Sequence, residues 1–381
     1  MIAGPAGFGL AKGTERPLRV LMTTDAVGGV WQYALDLADG LAAQGVQTTL
    51  AVVGPPPSDD QAAAARTVPG LGVTHLGLKP DWMIEADAGM AEAGAALEAL
   101  ARASRADLVH LNAPAFGPWA DFRVPVVGAC HSCVATWWRA VKQGPLPPEF
   151  AWRTRQVAAG YDAAQALIAP TRAFADDTAG TYGIRQPDVV WNGRRAHAAP
   201  SRGSPAPFAF TAGRLWDQGK NVRRLDRAAA RLSLPVQAAG PVQGPQGEFL
   251  PLQAIERLGV LTDAALREQL HHRPIFVSAG WYEPFGLAVL EAAQAGCALV
   301  LSDIPTFREL WDGAAAFVPA DEDDAVLASE MEALARDPGR RAALGRAARE
   351  RSRRYTVAAM TEGVMSVYRT VLAGRETEAA A

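Results

Sequence analysis

The sequence has little cysteine, almost no net charge and no long apolar run. There are three cysteines among 381 residues, and the formal net charge is −3 at pH 7. So small a charge gives no electrostatic reason to expect nucleic acid as a partner. No run approaches the ~20 apolar residues of a membrane span, and residues 1–17 contain no apolar core that would fit a signal peptide. We therefore expect a flexible N-terminus over 1–17 and a cytoplasmic protein.

Two of the cysteines form a C-x-x-C pair with a histidine inside it, Cys130-His131-Ser132-Cys133. A zinc site needs about four ligands, and the sequence has no second Cys/His cluster. A redox pair of the thioredoxin type would be expected near the start of a small βαβ domain. A metal or redox site stays open as an alternative. We favour a strand over 124–129 that carries His131 into a loop at the carboxyl edge of a sheet, and we predict no metal.

The length of 381 residues exceeds what one hydrophobic core usually serves, so two domains are expected. Apolar strands alternate with Ala-rich helices in the first half, which predicts a parallel, doubly wound sheet. The predicted strands are 18–22, 48–53, 107–111, 124–129, 166–170 and 188–191, with a helix at 31–43. These elements form a predicted domain over 18–195.

The Pro, Gly and Ser content of 196–207 cannot build a packed element, so a linker is predicted there. The alternation restarts after it and predicts a second α/β domain over 208–356. A last helix over 357–373 carries Met360, Val364, Val367 and Val371 at helical spacing, so it must pack on another element.

The segment from Arg336 to Arg354 is rich in arginine, which fits either a solvated helical face or an anionic membrane surface. We favour the solvated face, because no large apolar residues form an opposite face from Arg340 onwards. Peripheral membrane contact is therefore allowed but not required.

Two glutamates flank a glycine-marked turn that runs into a helix. Glu283 follows the apolar run 274–278, and Glu291 lies one to two turns into the helix. Glu283 is expected at the carboxyl end of a strand, where helix N-termini bind phosphorylated ligands. Glu291 would repel phosphate and is expected to bind a vicinal diol such as a ribose. A solvated helix face is the alternative that the spacing alone leaves open.

The spacing Glu-Pro-Phe-Gly-Leu-x3-Glu, followed by Ala295-Gly296 and by Ser302-Asp303…Glu309, closely resembles the C-terminal signature of the retaining glycosyltransferases of family four. The resemblance implies the GT-B fold, in which two Rossmann-like, doubly wound α/β domains face a cleft and a C-terminal helix crosses back to the N-terminal domain. It implies that Glu283 holds hydroxyls of the donor sugar and Glu291 holds the ribose. The donor site would also include Pro284, Phe285, Gly286 and Leu287.

A second segment, Gly213-Arg214-Leu-Trp-Asp-Gln-Gly-Lys220-Asn221, places two cations at the end of a predicted strand. Cations at the N-terminus of a helix interact unfavourably with the helix dipole. Their presence there indicates that they bind an anion from outside the chain. The resemblance implies that Arg214 and Lys220 contact the donor diphosphate, within a donor site that includes Gly213 and Asn221. The pair has one more intervening residue than the commonest family pattern.

Gly28-Gly29 opens the first predicted helix, so its backbone can approach a ligand closely. It is not G-x-G-x-x-G, which argues against a dinucleotide cofactor. In the resembled family this glycine loop faces the donor phosphates and the acceptor.

His131 is the ionisable group that we expect to face the cleft from the N-terminal half. The resemblance implies a hydrogen bond to the transferred sugar, and a structural histidine is the alternative. Trp137, Trp138 and Asn112 are candidates for contact with the acceptor, although paired tryptophans also serve as packing residues.

Taken with the resemblance, these features lead us to expect a retaining, metal-independent hexosyltransferase. Its donor would be a nucleotide-diphosphate sugar, with a UDP-sugar or a GDP-sugar favoured, and no further cofactor. Its acceptor would be a hydroxyl group on a carbohydrate, a lipid-linked molecule or a small molecule. A GT-B nucleotide-sugar epimerase and a non-catalytic protein that binds nucleotide sugars are the alternatives.

Overall fold

The computed structural model describes residues 16–142, 144–195, 205–245, 247–321 and 323–380. Residues 1–15 of the predicted N-terminal segment and 196–204 of the predicted linker lie outside the described residues. The last three residues of that linker, 205–207, have no regular secondary structure and lead into the second sheet.

The N-terminal half forms a parallel sheet covered by helices. Its strands are β1 (Arg19–Asp25), β2 (Gln47–Val53), β3 (Gly72–His75), β4 (Leu108–Leu111), β5 (Val126–Ala129), β6 (Ala166–Ala169) and β7 (Asp188–Val189). Its helices are α1 (Gly29–Ala43), α2 (Asp59–Arg66), α3 (Asp87–Ala103), α4 (Val134–Val141), α5 (Ala151–Ala163) and α6 (Arg172–Tyr182). The strand order is β3-β2-β1-β4-β5-β6-β7. The central strands are buried along their length, as a parallel sheet with two covered faces requires.

The C-terminal half repeats this plan. Its strands are β8 (Ala209–Ala212), β9 (Val236–Ala239), β10 (Glu256–Gly259), β11 (Ile275–Ser278), β12 (Ala298–Ser302) and β13 (Ala316–Val318). Its helices are α7 (Val222–Ala229), α8 (Asp263–His271), α9 (Leu287–Ala295), α10 (Pro305–Trp311), α11 (Asp324–Arg336) and α12 (Pro338–Ser352). The strand order is β10-β9-β8-β11-β12-β13, again with parallel neighbours.

Each sheet reverses its strand order beside its first strand, between β1 and β4 and between β8 and β11. Ligands of open α/β sheets bind in the crevice outside the carboxyl ends at such a reversal. β1 ends just before Gly28, and β8 ends just before Gly213. Both predicted glycine segments therefore lie at these points.

The last helix, α13 (Val357–Ala380), starts where the sequence predicted a helix and continues beyond residue 373. It packs on the first sheet rather than the second. Met360, Val364 and Tyr368 share a hydrophobic core with Leu37 and Leu41 of α1. The apolar spacing found in the sequence is therefore buried against the N-terminal half.

The sequence analysis did not identify the edge strands β3 and β10, because most of their residues are exposed and carry no apolar alternation. The arginine-rich helix α12 packs through small residues instead of large apolar ones. Ala348 is fully buried, and a Cβ at Gly345 would lie 2.3 Å from the carbonyl oxygen of Gly296. Among the described residues, no helix is both long and apolar enough to cross a membrane.

Candidate functional site

The candidate site lies where the carboxyl ends of the two sheets face each other. Gly28 is the N-cap of α1, and a Cβ there would lie 3.6 Å from Nη1 of Arg214. A Cβ at Gly29 would lie 3.4 Å from Cδ1 of Leu287. The glycine loop of the first half therefore lies against both predicted donor-binding segments of the second half, and the absence of a side chain at Gly28 leaves free space beside the guanidinium.

Asp217 organises the segment that carries the two predicted phosphate-binding cations. Its Oδ2 accepts a hydrogen bond from Nη2 of Arg214 at 3.2 Å, and its Oδ1 accepts one from the backbone N–H of Gly219 at 2.9 Å. The Arg214 side chain is 46% exposed, so it is available to an anion in the cleft. Gly213, just before it, has φ +144°, a conformation that side chains rarely adopt. The sequence analysis quoted this segment without assigning a role to Asp217.

Lys220 and Glu283 form an ion pair between the two predicted donor-binding segments. Lys220 Nζ donates to Glu283 Oε2, and the side chains are 25% and 13% exposed. Asn221, which follows Lys220, is buried in the left-handed region at φ +50° and is the N-cap of α7. The sharp turn at Asn221 ends the short 3-10 helix Gln218–Lys220, in which Lys220 is the last residue.

The turn from Glu283 to Leu287 is shaped by its backbone and core contacts. Phe285 is buried with its ring centroid 5.8 Å from that of Tyr355, so its side chain serves the core and not the cleft. Gly286 has φ +90° and is the N-cap of α9. The Pro284 carbonyl accepts a hydrogen bond from Thr171 Oγ1 at 3.0 Å. The first half of the chain therefore holds the turn from across the cleft.

Further contacts join the two halves close to this turn. Tyr282 Oη lies 2.8 Å from Thr136 Oγ1. The carboxylate of Glu309 accepts from the backbone N–H groups of Arg172 at 2.9 Å and Ala173 at 2.8 Å, at the first turn of α6. A carboxylate at a helix N-terminus is favoured by the free N–H groups and by the helix dipole. These contacts hold the two halves against each other beside the turn.

Glu291, predicted to hold a ribose, forms part of a buried ion cluster. Its Oε1 lies 2.5 Å from Nη2 of Arg194, whose Nη1 lies 2.6 Å from Asp36 Oδ2. Burial raises the pKa of Glu291 despite the nearby guanidinium. Burial lowers the pKa of Arg194, but the charges of Glu291 and Asp36 outweigh it and raise that pKa above its ordinary value. The sequence analysis did not identify Arg194 or Asp36 as site residues. The available signal was the pair of adjacent arginines, Arg194 and Arg195, at the predicted domain boundary.

His131 lies on the first-half side of the cleft and is partly buried. Its Nε2 is 2.7 Å from Oδ1 of Asn112. Burial, and then the neighbouring His110, lower the pKa of His131 to about 3. The imidazole is therefore neutral at physiological pH and cannot act there as a charged acid.

Asn112 was predicted to contact an acceptor, and the structure uses its side chain otherwise. It is 9% exposed. Its Nδ2 donates to the carbonyl of Thr23 at 2.7 Å, and its Oδ1 also lies 3.2 Å from Nε2 of His110. Both ends of the amide are thus engaged within the first half, and contact between Asn112 and an acceptor stays a prediction.

The two tryptophans predicted to contact the acceptor have different surroundings. Trp137 Nε1 donates to Asp217 Oδ1 at 3.0 Å, so this indole joins α4 to the segment of Arg214. The Trp138 ring lies 5.6 Å from the ring of Phe150, between centroids. Both side chains are partly buried. Trp137 thus helps to position the donor-binding segment that carries Arg214. Trp138 fits the alternative role of a packing residue.

Two carboxylates that the sequence analysis missed lie on the first-half side. Asp25 ends β1, accepts from the backbone N–H of Val27 at 2.8 Å, and has a pKa raised by burial in spite of the charge of Arg214. Burial, with a smaller effect from the charge of Asp25, raises the pKa of Asp81 to about 6. Asp25 could have been identified from the sequence, because it is a polar residue at the carboxyl end of a buried strand. Asp81 lies in a segment without a regular apolar pattern, so the sequence offered no comparable signal.

The cysteines of the C-x-x-C pair are unbridged, and Cys130 is buried. Cys133 is the N-cap of α4, where its sulfur accepts from the N–H of Thr136 at 3.4 Å and from Tyr182 Oη at 3.0 Å. Throughout the ranges that the structure describes, no group of three or more His, Cys, Asp or Glu residues could hold a metal ion.

Comparison with known families gives two matches. Residues 27–195 match the family described as Glycosyltransferase Family 4, and residues 249–351 match Glycosyl transferases group 1. The alpha-maltose-1-phosphate synthase of Mycolicibacterium smegmatis is 30% identical over 279 aligned positions, which cover 60% of this chain and 71% of that protein.

Solved structures share the fold. The sucrose-phosphate synthase of Thermosynechococcus elongatus superposes with a TM-score of 0.76 at 17% identity, covering 94% of this chain and 100% of that one. Anabaena HepE in complex with UDP-glucose superposes with a TM-score of 0.73 at 16% identity, covering 93% and 100%. The two sheets with their interleaved helices are two Rossmann-like domains of the GT-B type.

Proposed function

The chain belongs to the family 4 glycosyltransferases, and on that premise we propose that it is a retaining hexosyltransferase. It moves a sugar from a nucleotide-diphosphate sugar to a hydroxyl acceptor without a metal ion. The observation that carries the proposal is the meeting of Gly28, Arg214, Lys220 and Glu283 at the two opposed carboxyl edges.

The donor diphosphate binds between the glycine loop and the two cations. Arg214 offers a planar fork to the phosphate oxygens, and Lys220 offers a point charge. Glu283, paired with Lys220 in this structure, accepts hydrogen bonds from sugar hydroxyls when the donor is bound. Glu291 retains about a tenth of its side-chain exposure beside Arg194, and its carboxylate accepts from the ribose diol.

The reaction breaks the bond between the anomeric carbon and the diphosphate oxygen and forms a bond to the acceptor oxygen on the same face of the sugar. The acceptor's proton passes to the departing diphosphate. Negative charge grows on the diphosphate as the first bond breaks, so Arg214, Lys220 and the backbone N–H groups of the glycine loop stabilise the transition state more than the ground state.

The acceptor approaches from the first half, near Asp25 and Asp81. Carboxylates accept hydrogen bonds from hydroxyl groups, so these two side chains suit a polyhydroxylated acceptor. The complex of HepE with UDP-glucose and the relative named alpha-maltose-1-phosphate synthase make a UDP-linked or other nucleotide-linked hexose the first donor class to test.

The test is calorimetric titration of UDP, GDP, ADP and their hexose conjugates into the parent protein and into Glu291→Gln, in the presence of a chelator. Glu362→Gln, which changes an exposed glutamate on α13, is the matched control. We expect one nucleotide to bind the parent and the control equally and Glu291→Gln about tenfold more weakly or worse.

Transfer is then followed with the nucleotide sugar that binds. Acceptor sugars and polyols are screened, and the anomeric configuration of the product is read by NMR. A product with the donor's configuration, formed in the chelator, supports the proposal. Inversion, a strict metal requirement, or a rearranged donor formed without any acceptor contradicts it.

A further inference from the structure

Two histidines share a single hydrogen-bond acceptor beside the proposed sugar site. Nε2 of His131 and Nε2 of His110 lie 2.7 Å and 3.2 Å from the same atom, Oδ1 of Asn112. His110 is fully buried and Asn112 nearly so. Nothing in the binding of the diphosphate or the ribose requires this cluster.

The orientation of the Asn112 amide follows from its other partner. Its Nδ2 is 2.7 Å from the backbone carbonyl of Thr23, and its backbone N–H donates to Thr23 Oγ1 at 2.9 Å. A carbonyl oxygen only accepts, so the amide must turn its NH2 group towards Thr23 and its oxygen towards the histidines. An amide oxygen also only accepts, so both imidazoles carry a hydrogen on Nε2.

Both histidines are neutral, which fixes their remaining nitrogens. Burial lowers the pKa of His110 to about 4, and burial with the neighbouring His110 lowers that of His131 to about 3. A neutral imidazole with its hydrogen on Nε2 has a lone pair on Nδ1. For His110 that lone pair accepts from Tyr368 Oη at 2.8 Å, from the crossing helix α13.

For His131, Nδ1 has no hydrogen-bond partner among the described residues. In the part of the chain that the structure describes, Asn112 is the hydrogen-bond partner of the ring, through Nε2. The Tyr33 ring and the imidazole pack in a T-shaped arrangement, with centroids 4.6 Å apart and an interplanar angle of 70°. The ring is therefore held at one nitrogen and on its side, and it is partly exposed.

We propose that Asn112 is a positioning residue which fixes His131 in the Nε2–H tautomer, so that Nδ1 accepts a hydrogen bond from a hydroxyl of the transferred sugar. The proposal rests on the function proposed above and on the sugar contact that the family resemblance implies for His131, and it gives the direction of that contact: the sugar donates and the protein accepts. It reassigns Asn112 from acceptor contact to the support of His131. Protonation of His131 would place a hydrogen on Nδ1 and abolish the contact.

The titratable groups packed against His131 are His110 from β4 and Tyr33 from α1, with Tyr368 of α13 behind His110. Burial raises the pKa of both tyrosines and lowers that of His110, so all three are neutral between pH 5 and 8. No charged side chain competes with Asn112 for the ring among these neighbours.

The first experiment is NMR of the substrate-free parent protein labelled with 15N in its histidine rings. The chain has six histidines, and loss of one signal set in His131→Asn assigns that residue. We expect His131 to show a protonated Nε2 and an unprotonated Nδ1 with no titration between pH 5 and 8. A hydrogen on Nδ1, or a midpoint in that range, overturns the proposal.

The second experiment is the pH dependence of kcat in Asn112→Asp. A carboxylate next to His131 favours the imidazolium, whose extra hydrogen occupies Nδ1. Relative to the parent, we expect the ratio of kcat at pH 6 to kcat at pH 8.5 to fall about fivefold or more. If the variant is folded and its profile has the parent's shape, Asn112 has no positioning role.

Tyr368→Phe is the companion variant for the spectra. It removes the hydrogen bond to His110 Nδ1 and retains the contact between Asn112 and His131, so the ring signals of His110 should move while those of His131 stay. Because the spectra need no turnover, they judge the tautomer even if no sugar transfer is found, whereas missing transfer with every donor contradicts the proposed function alone.

Discussion

Nη2 of Arg194 lies 2.5 Å from Oε1 of Glu291, and the two side chains are 8% and 10% exposed. The other guanidinium nitrogen, Nη1, lies 2.6 Å from Asp36 on α1. Arg194 precedes the linker, and Glu291 lies on α9, so one buried cation joins the two halves beside the carboxylate that we expect to bind ribose. This connection couples the donor site to the interface between the domains.

We predict that Arg194→Met is strongly destabilising. It leaves two buried carboxylates without their shared cation, which costs about 3 kcal/mol or more. Arg353→Met is the control, because that side chain is 71% exposed and pairs with the exposed Glu350, where an ion pair contributes about 0–1 kcal/mol. Thermal unfolding followed by circular dichroism checks this: equal shifts in the two variants would contradict a special role for Arg194.

Glu283→Gln and Glu291→Gln should affect different steps. Glu283 pairs with Lys220 at the cleft, so its loss should lower kcat by about 100-fold while the affinity for the free nucleotide stays within about twofold. Glu291→Gln should instead weaken nucleotide binding. Steady-state kinetics combined with calorimetry measures both, and variants with the parent's kinetics would refute both assignments.

Gly28→Val should impair donor binding without impairing the fold. A Cβ at this position meets Arg214 Nη1 at 3.6 Å, which is ordinary contact, but the valine methyl groups would occupy the space beside the guanidinium. We expect a KM for the donor about tenfold higher or more, with stability within about 1 kcal/mol. Val27→Ala, in the same loop with 42% exposure, is the control and should retain the parent's KM.

Trp137→Phe and Trp138→Phe form a matched pair. Trp137 Nε1 donates to Asp217 at 3.0 Å, whereas Trp138 Nε1 is buried and has no hydrogen-bond partner in the described parts of the chain. Removing the first bond frees the carboxylate that holds Arg214, so we expect a several-fold rise in the donor KM, corresponding to about 1 kcal/mol. Trp138→Phe should leave the donor KM unchanged. A rise confined to the acceptor KM would favour an acceptor role for the pair.

Asp81→Asn should stabilise the protein in a pH-dependent way. The carboxyl pKa is raised from 3.8 to about 6 in the folded protein, mainly by burial, so the folded state binds the proton more tightly than the unfolded chain does. The charged form therefore costs stability above pH 6, and the cost disappears as the pH falls below the unfolded pKa. Allowing for partial exposure, we expect a gain of about 1–2 kcal/mol at pH 7.

Urea unfolding at several pH values checks this prediction. The difference in unfolding free energy between Asp81→Asn and the parent should be largest at pH 7 and shrink towards zero near pH 4. Asp121→Asn, an exposed carboxylate, is the control and should show little difference at either pH. A gain that does not change with pH would show that Asp81 is not the titrating group.

Several helices and strands could be predicted from the local sequence pattern, because strands of a buried parallel sheet appear in the sequence as continuous apolar runs. The helix predicted over 31–43 is observed as Gly29–Ala43, and Gly296 ends α9 in the left-handed conformation that favours glycine. Strands β3 and β10 left no such signal, since their exposed residues are ordered by pairing with β2 and β9 and not by burial.

The candidate site divides in the same way. Arg214, Lys220 and Glu283 were identified because each follows a predicted strand, and the carboxyl ends of parallel strands meet at one edge. The surroundings of Asn112 and Glu291 were not predicted, because Thr23, which holds the Asn112 amide, and Arg194, which pairs with Glu291, come from distant elements. Spacing along the chain holds no information about such pairs.

The sequence by itself determined two α/β halves, the strand ends that carry the glycine loop and the cations, and a family signature from Glu283 to Glu291. These depend on local periodicity and on residue chemistry, which neighbouring residues fix. Only the tertiary structure decided that Gly28 faces Arg214, that Arg194 joins Asp36 to Glu291, and that Asn112 holds His131. Those contacts form because α13 packs on the first sheet and the two domains pack against each other. Polar groups far apart in sequence are thereby buried side by side, and each needs a hydrogen-bond or ion-pair partner there.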